Sequence, residues 1–449
     1  MGSFIRKISG YFMKHDENPV LIITLDMIPY APTWGSCQRM YYLADYLQEH
    51  GHEVYVVHAK NPAFFSDFGH KISFHQIPIP VAEWRMPAGN NKGFFCKAST
   101  FIAKWMVYLI RRSGLYRLEA FVLNEPYVGM GISGYTFSRN ARDEIAALIS
   151  GSGLKNVIIS APPFSVFSLA PWMKRNFPGV QVIFDYRDPW NSPFSSHVIS
   201  SLLERIFLKS ADTVVFLNDR MREDSVKTYS LPPEKCRVIL NGFSETEWKG
   251  ALRESDTRNG TPVDTMVIAY VGNISFYEAG YRDIGLFLDA FAQFSRNRRV
   301  LLRFVGVDPG SVPGSLRDRL PGNVEFLPNV ATRSALSYML KSDVLLMYFI
   351  EPRTGRYVLT GKLFDYIRSG KVIFGVAATE DTYFLEVIRK KHLVIGCLHN
   401  APEITRCLEE LYGNWERGTL QELRTDPPAD RDRCSRDAQN NRFLDILRV

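Results

Sequence analysis

Val344-Leu345-Leu346-Met347-Tyr348, then Thr360-Gly361-Lys362-Leu363-Phe364-Asp365-Tyr366 running on to Ser369-Gly370-Lys371, then Val372-Ile373-Phe374-Gly375, is the stretch that decides the fold. Two short apolar runs flank an amphipathic segment, a pattern that predicts strand, loop, helix, strand. Thr360 and Gly361 fall at the helix start, where unpaired N–H groups and the positive end of the helix dipole favour an anion. Lys362 adds a mobile cation within reach of the same anion, and Asp365, three residues on, shares its face. A carboxylate accepts two hydrogen bonds at once, which suits the paired hydroxyls of a ribose. An ordinary amphipathic helix with a glycine-containing cap and solvated charges has the same pattern, so the stretch taken alone fits both.

Working outward, the same rhythm recurs on both sides. Val20-Leu21-Ile22-Ile23-Thr24, a Pro- and Gly-containing loop, a helix pattern from Gln38 to Glu49 and Val54-Tyr55-Val56-Val57 form one strand-loop-helix-strand unit. Further strands are predicted at Val157-Ile158-Ile159, Val180 to Phe184, Thr213 to Phe216 and Val238 to Leu240, and in a second series at Met266 to Val271, Leu301 to Val305 and Val324 to Leu327. The polar, strandless segment between the two series reads as a linker. The predicted architecture is α/β: two tandem Rossmann-like, doubly wound parallel-sheet domains with the ligand in an interdomain cleft, at the carboxyl ends of the strands. The boundaries expected are an N-terminal extension 1–18, a first domain 19–243, a linker 244–262, a second domain 263–430 and a C-terminal helix 431–449 that crosses back to the first domain.

The bulk numbers agree. A chain of 449 residues is too long for one core and suits two domains of about 200 residues each. Hydrophobic content of 46% and charged content of 22% are ordinary for a globular protein, and 54 basic against 47 acidic residues leave a mildly basic +7 that permits an anionic ligand without requiring one. Cys37, Cys96, Cys236, Cys397, Cys407 and Cys434 are scattered and show neither a zinc pattern nor a disulfide framework, which fits a reducing cytosol and no metal. The first eighteen residues mix charge with short apolar runs, unlike a signal peptide, and no stretch is long and apolar enough to predict a membrane span.

Other candidate residues lie at strand ends. Gly35 and Ser36, in the loop before a helix expected to start near Cys37 or Gln38, can let the backbone approach a phosphate or sugar, or form a plain turn. That loop is not G-x-G-x-x-G, and neither is Gly272-Asn273-Ile274-Ser275, so a dinucleotide-dependent oxidoreductase is not indicated. Asp185-Tyr186-Arg187-Asp188-Pro189-Trp190 ends a predicted strand at the edge where an α/β fold places its site. Arg282, after Gly272 and Asn273, can meet a diphosphate bidentately together with Lys362.

On these segments the chain resembles a family 4 retaining glycosyltransferase (glycosyl transferases group 1) of the GT-B fold. The resemblance runs from Pro19 to Val449 and is carried by Gly51-His52-Glu53-Val54, Ser160 to Ser165, Asp185 to Trp190, Val238 to Phe243, Tyr270 to Asn273 and Thr360 to Gly370. It implies transfer of a hexose-type sugar from a nucleotide-diphosphate sugar to a saccharide or lipid-linked acceptor, with retention, in polysaccharide or glycoconjugate biosynthesis. It implies that Arg282 and Lys362 clamp the diphosphate; with Asp188, a candidate for orienting the acceptor hydroxyl, they are the candidate catalytic residues. Gly35, Ser36, Gly272, Asn273, Asn329, Thr360, Gly361 and Asp365 then contact the donor, with Asp365 on the ribose, while Arg187 and Trp190 meet the acceptor. No cofactor, metal or nucleic acid is expected. One departure stands out: where the family often pairs two glutamates eight positions apart, this chain has Tyr357 and Asp365.

From Phe94 to Ala120, aromatic and aliphatic residues alternate with Lys97, Lys104, Arg111, Arg112 and Arg117. That composition fits an amphipathic helix on an anionic membrane, or a core helix with charged ends. The expected place is the cytoplasm, at the inner face of its membrane. Two rival functions remain: a nucleotide-sugar epimerase on the same fold, and a non-catalytic scaffold that only binds an activated sugar.

Overall fold

The computed structural model describes residues 19–61, 65, 69–81, 132–191, 198–254, 264–272, 274, 284–350, 355–390 and 394–447. The extension 1–18, the segment 94–120, Asn273 and Arg282 lie outside the described residues.

Two units divide the chain, Met1–Ile239 with Phe443–Val449, and Leu240–Arg442. In the first, β1 (Val20–Ile23), β2 (Val54–Lys60), β3 (His75–Pro80), β4 (Asn156–Ala161), β5 (Gln181–Tyr186), β6 (Thr213–Phe216) and β7 (Cys236–Val238) form one sheet. Its order is β3-β2-β1-β4-β5-β6-β7, parallel throughout. Every residue of β1 is fully buried, as expected of a strand covered on both faces.

The second unit repeats the plan with β8 (Met266–Val271), β9 (Val300–Val305), β10 (Val324–Leu327), β11 (Val344–Phe349), β12 (Val372–Ala377) and β13 (Val394–Leu398), ordered β10-β9-β8-β11-β12-β13 and again parallel. Alternation along β11 separates two core layers. Val344, Leu346 and Tyr348 pack with the helices Gly285–Phe294 and Ala401–Glu416. Leu345, Met347 and Phe349 pack with Leu363, Phe364, Tyr366 and Ile367 of the helix Gly361–Ser369. Helices therefore cover both faces, and the architecture is the pair of Rossmann-like domains that the sequence predicts. In each unit the strand order reverses beside its first strand, and that reversal is where such sheets open to a ligand.

Local differences from the sequence reading have physical causes. The helix expected from Cys37 or Gln38 runs Trp34–Glu49, capped at Thr33 in an extended conformation. Trp34 starts the apolar face, meeting Tyr41 and Tyr42 at ring distances of 5.3 and 5.6 Å. The segment 244–262 is not linker throughout: it holds the helix Glu245–Glu254, whose Trp248 and Ala251 are fully buried three residues apart. The unit boundary accordingly falls after Ile239 and not after Phe243. At the C-terminus the helix is Arg436–Leu447, and Phe443, Leu444, Ile446 and Leu447 pack in the first unit's core.

A buried ion pair organises the first unit. Arg39 donates from Nη2 to Asp185 Oδ1 at 2.9 Å and to the Ile239 carbonyl at 3.0 Å. Ser160 Oγ donates to Asp185 Oδ2 at 2.8 Å. Asp185 is wholly inaccessible and Arg39 is 8% exposed, so removing one partner strands a charge in the core. Asp185→Ala is expected to cost about 3–5 kcal/mol, read from the shift of the urea midpoint; a loss near that of a surface substitution would contradict this role.

Candidate functional site

In the first unit, the strand ends of β4 and β5 meet the first turn of the helix Trp34–Glu49 through Arg187. Its guanidinium donates to the carbonyls of Ser36, Pro162 and Ala161, the last two at 2.5 and 3.3 Å. Arg187 and Ser36 are thus brought together, but as a tie between loops. Gly35 is exposed, and a Cβ there would meet only Thr33 Oγ1, at 4.0 Å. Asp188 is half-buried on the same loop. Trp190 departs from the acceptor contact expected of it: it is 3% exposed and stacks with Phe164 at 5.2 Å and Phe207 at 5.9 Å. Burying so large an indole anchors the loop in the core and takes the ring away from a surface ligand.

Asn191, directly after Trp190, donates from Nδ2 to Glu204 Oε2 at 2.6 Å, and Tyr229 donates its hydroxyl to the same oxygen at 2.6 Å. Glu204 is 3% exposed, and burial pushes its carboxyl up to about 7 against these hydrogen bonds. The loop is therefore pinned at both ends, by Asp185 and by Asn191.

In the second unit, Gly272 follows β8 with φ of +130° and donates its N–H to the Val305 carbonyl at 2.7 Å. A Cβ at this position would lie 2.7 Å from Lys362 Nζ; the positive φ is what calls for glycine here, since the lysine end could move aside. Lys362 Nζ lies 2.8 Å from the Tyr270 hydroxyl and 3.9 Å from the Tyr270 ring centroid, a cation–π arrangement. Gly306, after β9, also has positive φ, +99°. A Cβ on it would be 3.3 Å from the Gly272 backbone and 3.4 Å from Asn329 Oδ1. Gly272, Gly306, Asn329 and Lys362 therefore converge at the carboxyl ends of β8, β9 and β10.

Thr360 caps the helix Gly361–Ser369 in an extended conformation without a side-chain cap bond, its hydroxyl 4.0 Å from Met347 Sδ. Helix position is set by its buried face and by Tyr366, whose hydroxyl accepts from the Val271 N–H at 2.9 Å. Asp365 is half-buried and its Oδ1 accepts from Trp248 Nε1 at 3.1 Å. Burial pushes the Asp365 carboxyl up to about 6, with the Arg436 charge and the indole bond opposing the shift. Tyr357, at the position of the family's first acid, is 3% exposed. Among the described residues no group of His, Cys, Asp and Glu is placed to hold a metal ion, and no helix is long and apolar enough to cross a membrane.

The sequence reading missed Gly306, Tyr270, Tyr366 and Trp248. A signal for Gly306 was present: Val305-Gly306 repeats Val271-Gly272 at the end of the neighbouring strand. Trp248 lies 117 positions from Asp365, and nothing local marks that pairing.

No protein-family profile matches the chain. Among curated proteins, 94 residues are 30% identical to an alpha-maltose-1-phosphate synthase from Mycolicibacterium smegmatis, covering 19% of this chain and 24% of that relative. Among solved structures, a glycosyltransferase from Rickettsia africae superposes with a TM-score of 0.59 at 13% identity, covering 96% of this chain and 98% of that one. HepE from Anabaena, solved with UDP and glucose, gives a TM-score of 0.60 at 10% identity, covering 96% and 99%. A UDP-N-acetylglucosamine 2-epimerase from Methanocaldococcus jannaschii reaches 0.54 at 8% identity, covering 95% and 99%. The two parallel sheets and these likenesses give the chain the GT-B fold.

The raised Asp365 carboxyl has a consequence for stability. From about pH 4 to 6 the folded chain retains a proton there that the unfolded chain releases, so this group's contribution is highest below pH 4 and declines as pH rises through 6. Asp365→Asn should therefore be more stable than the parent at pH 8, with that advantage vanishing towards pH 4. Urea titrations at pH 4, 6 and 8 measure this, and an equal difference at every pH would refute it.

Proposed function

We propose that this protein is a retaining glycosyltransferase that moves a sugar from a nucleotide-diphosphate donor to a saccharide or lipid-linked acceptor. The observation that carries this is the Lys362 ammonium lying over Gly272 beside an uncapped helix start, at the point where the strand order reverses. Backbone amides, a helix dipole and a lysine close to one another form a diphosphate site. The GT-B likenesses support the same reading.

In this account the amides of Gly361 and Lys362 and the Lys362 ammonium hold the diphosphate, joined by Arg282, while Asp365 accepts from the ribose hydroxyls. Asn273 and Asn329 border the donor. As the bond from the sugar's anomeric carbon to the diphosphate oxygen breaks, negative charge grows on the leaving oxygens, and these cations and dipoles stabilise it. The acceptor hydroxyl attacks from the face the diphosphate leaves and passes its proton to a donor phosphate oxygen, so neither a protein nucleophile nor a metal is needed. Asp188 orients the acceptor, with Arg187 holding its loop. Contact of 94–120 with an anionic membrane would bring a lipid-linked acceptor to the cytoplasmic side.

Thermal shifts with UDP, GDP and ADP test the site first. At least one is expected to raise the melting temperature, and Lys362→Ala should abolish most of that rise. With a turned-over donor, Lys362→Ala should lower the rate by about 10²-fold or more. Appearance of a glycosylated acceptor separates transfer from epimerisation, which would invert a stereocentre of the sugar and consume no acceptor. Binding without either product would favour a scaffold, and stabilisation by no nucleotide would remove the basis of the proposal.

A further inference from the structure

The helix Gly361–Ser369 is gripped from one side by the helix Glu245–Glu254. Asp365 and Arg368, three residues apart, share a face, as do Glu245 and Trp248. Trp248 Nε1 donates to Asp365 Oδ1 at 3.1 Å, and Arg368 Nε donates to Glu245 Oε1 at 2.6 Å with Nη2 on Oε2 at 3.2 Å. The two residue pairs form an antiparallel ladder, 365 to 248 and 368 to 245. Trp248 is wholly buried against Phe243, Leu363 and Ile367, so its N–H has a fixed position. The backbone of Arg436, whose charge acts on Asp365, is held as well: its N–H donates to the Phe243 carbonyl at 2.8 Å, and a Cβ on Gly242 would come within 2.7 Å of its nitrogen.

We infer that Trp248 is a positioning residue for the donor: by taking Asp365 Oδ1, its indole N–H orients the carboxylate so that the remaining oxygen is presented to the ribose hydroxyls. This rests on the donor-site reading above. An aspartate has two side-chain torsions, and once one oxygen is held the plane and lone pairs of the other follow. The short acid at this position is thereby a fixed acceptor, and the amide-and-lysine part of the site is independent of it. Trp248 therefore matters for the ribose and not for the phosphates.

The test compares affinities of the full-length protein, by calorimetry, for three probes: whichever of UDP, GDP and ADP binds, its 2′,3′-dideoxy analogue, and inorganic pyrophosphate. Trp248→Phe is expected to weaken the ribonucleotide by about tenfold or more, the worth of one hydrogen bond to a charged acceptor, while changing the other two less than twofold. Replacing the Trp248 indole by a benzothiophene side chain keeps the ring and deletes only the N–H, and should give the same split if the Phe variant folds poorly. In an Asp365→Asn background neither change should add to the loss. Equal weakening of all three probes would show that Trp248 shapes the whole site, and no weakening would show that Asp365 needs no partner; either overturns the inference. If the unaltered protein binds neither a nucleotide nor pyrophosphate, the donor-site reading fails first and the inference falls with it.

Discussion

One interaction ties strand end to helix in the second unit: the Lys362 ammonium lies 2.8 Å from the Tyr270 hydroxyl, beside the bare Cα of Gly272. Strand β8 is followed by a glycine whose φ other residues rarely adopt. The lysine is held over Tyr270 of the same strand, and Tyr366, one turn further along its helix, bonds the Val271 N–H. Helix and strand end are thus fixed to each other through Tyr270 and Val271, the last two residues of β8. Gly306 and Asn329 complete the rim because the adjoining strand also ends in glycine and approaches the Gly272 backbone closely.

The first unit meets a comparable need with charge. Its strand-end loop, Asp185 to Asn191, is tied by Asp185 to Arg39 and Ser160, by Arg187 to three carbonyls, and by Asn191 to Glu204. Most of the polar residues that look functional in sequence are consumed in holding that loop. Such buried pairs do not add much net stability over apolar packing, but losing one partner is costly, so they enforce a single loop conformation. Among the described residues, the strand ends of the second unit carry Gly272, Gly306 and Asn329 beside the start of the helix that bears Lys362.

The fold was largely legible because both sheets are parallel and covered on two faces, which writes their strands as continuous apolar runs such as Val20 to Ile23 and Val344 to Tyr348. The helix around Lys362 was legible for the same reason, with Gly370 marking its end. Residues near in sequence gave their own contacts; residues distant in sequence did not. Trp248 read as part of a polar linker because Glu245, Glu247 and Lys249 surround it, while its partner lies 117 positions away. Trp190 read as a binding aromatic because its burial depends on Phe164 and Phe207, which no spacing rule connects to it.

A crystal structure of the protein with a bound nucleoside diphosphate tests the central claim most directly. The account predicts phosphate oxygens about 3 Å from the backbone N–H groups of Gly361 and Lys362, with the Lys362 ammonium turned from the Tyr270 hydroxyl onto the diphosphate and the ribose against Asp365. A diphosphate bound elsewhere, with Lys362 still resting on Tyr270, would contradict it.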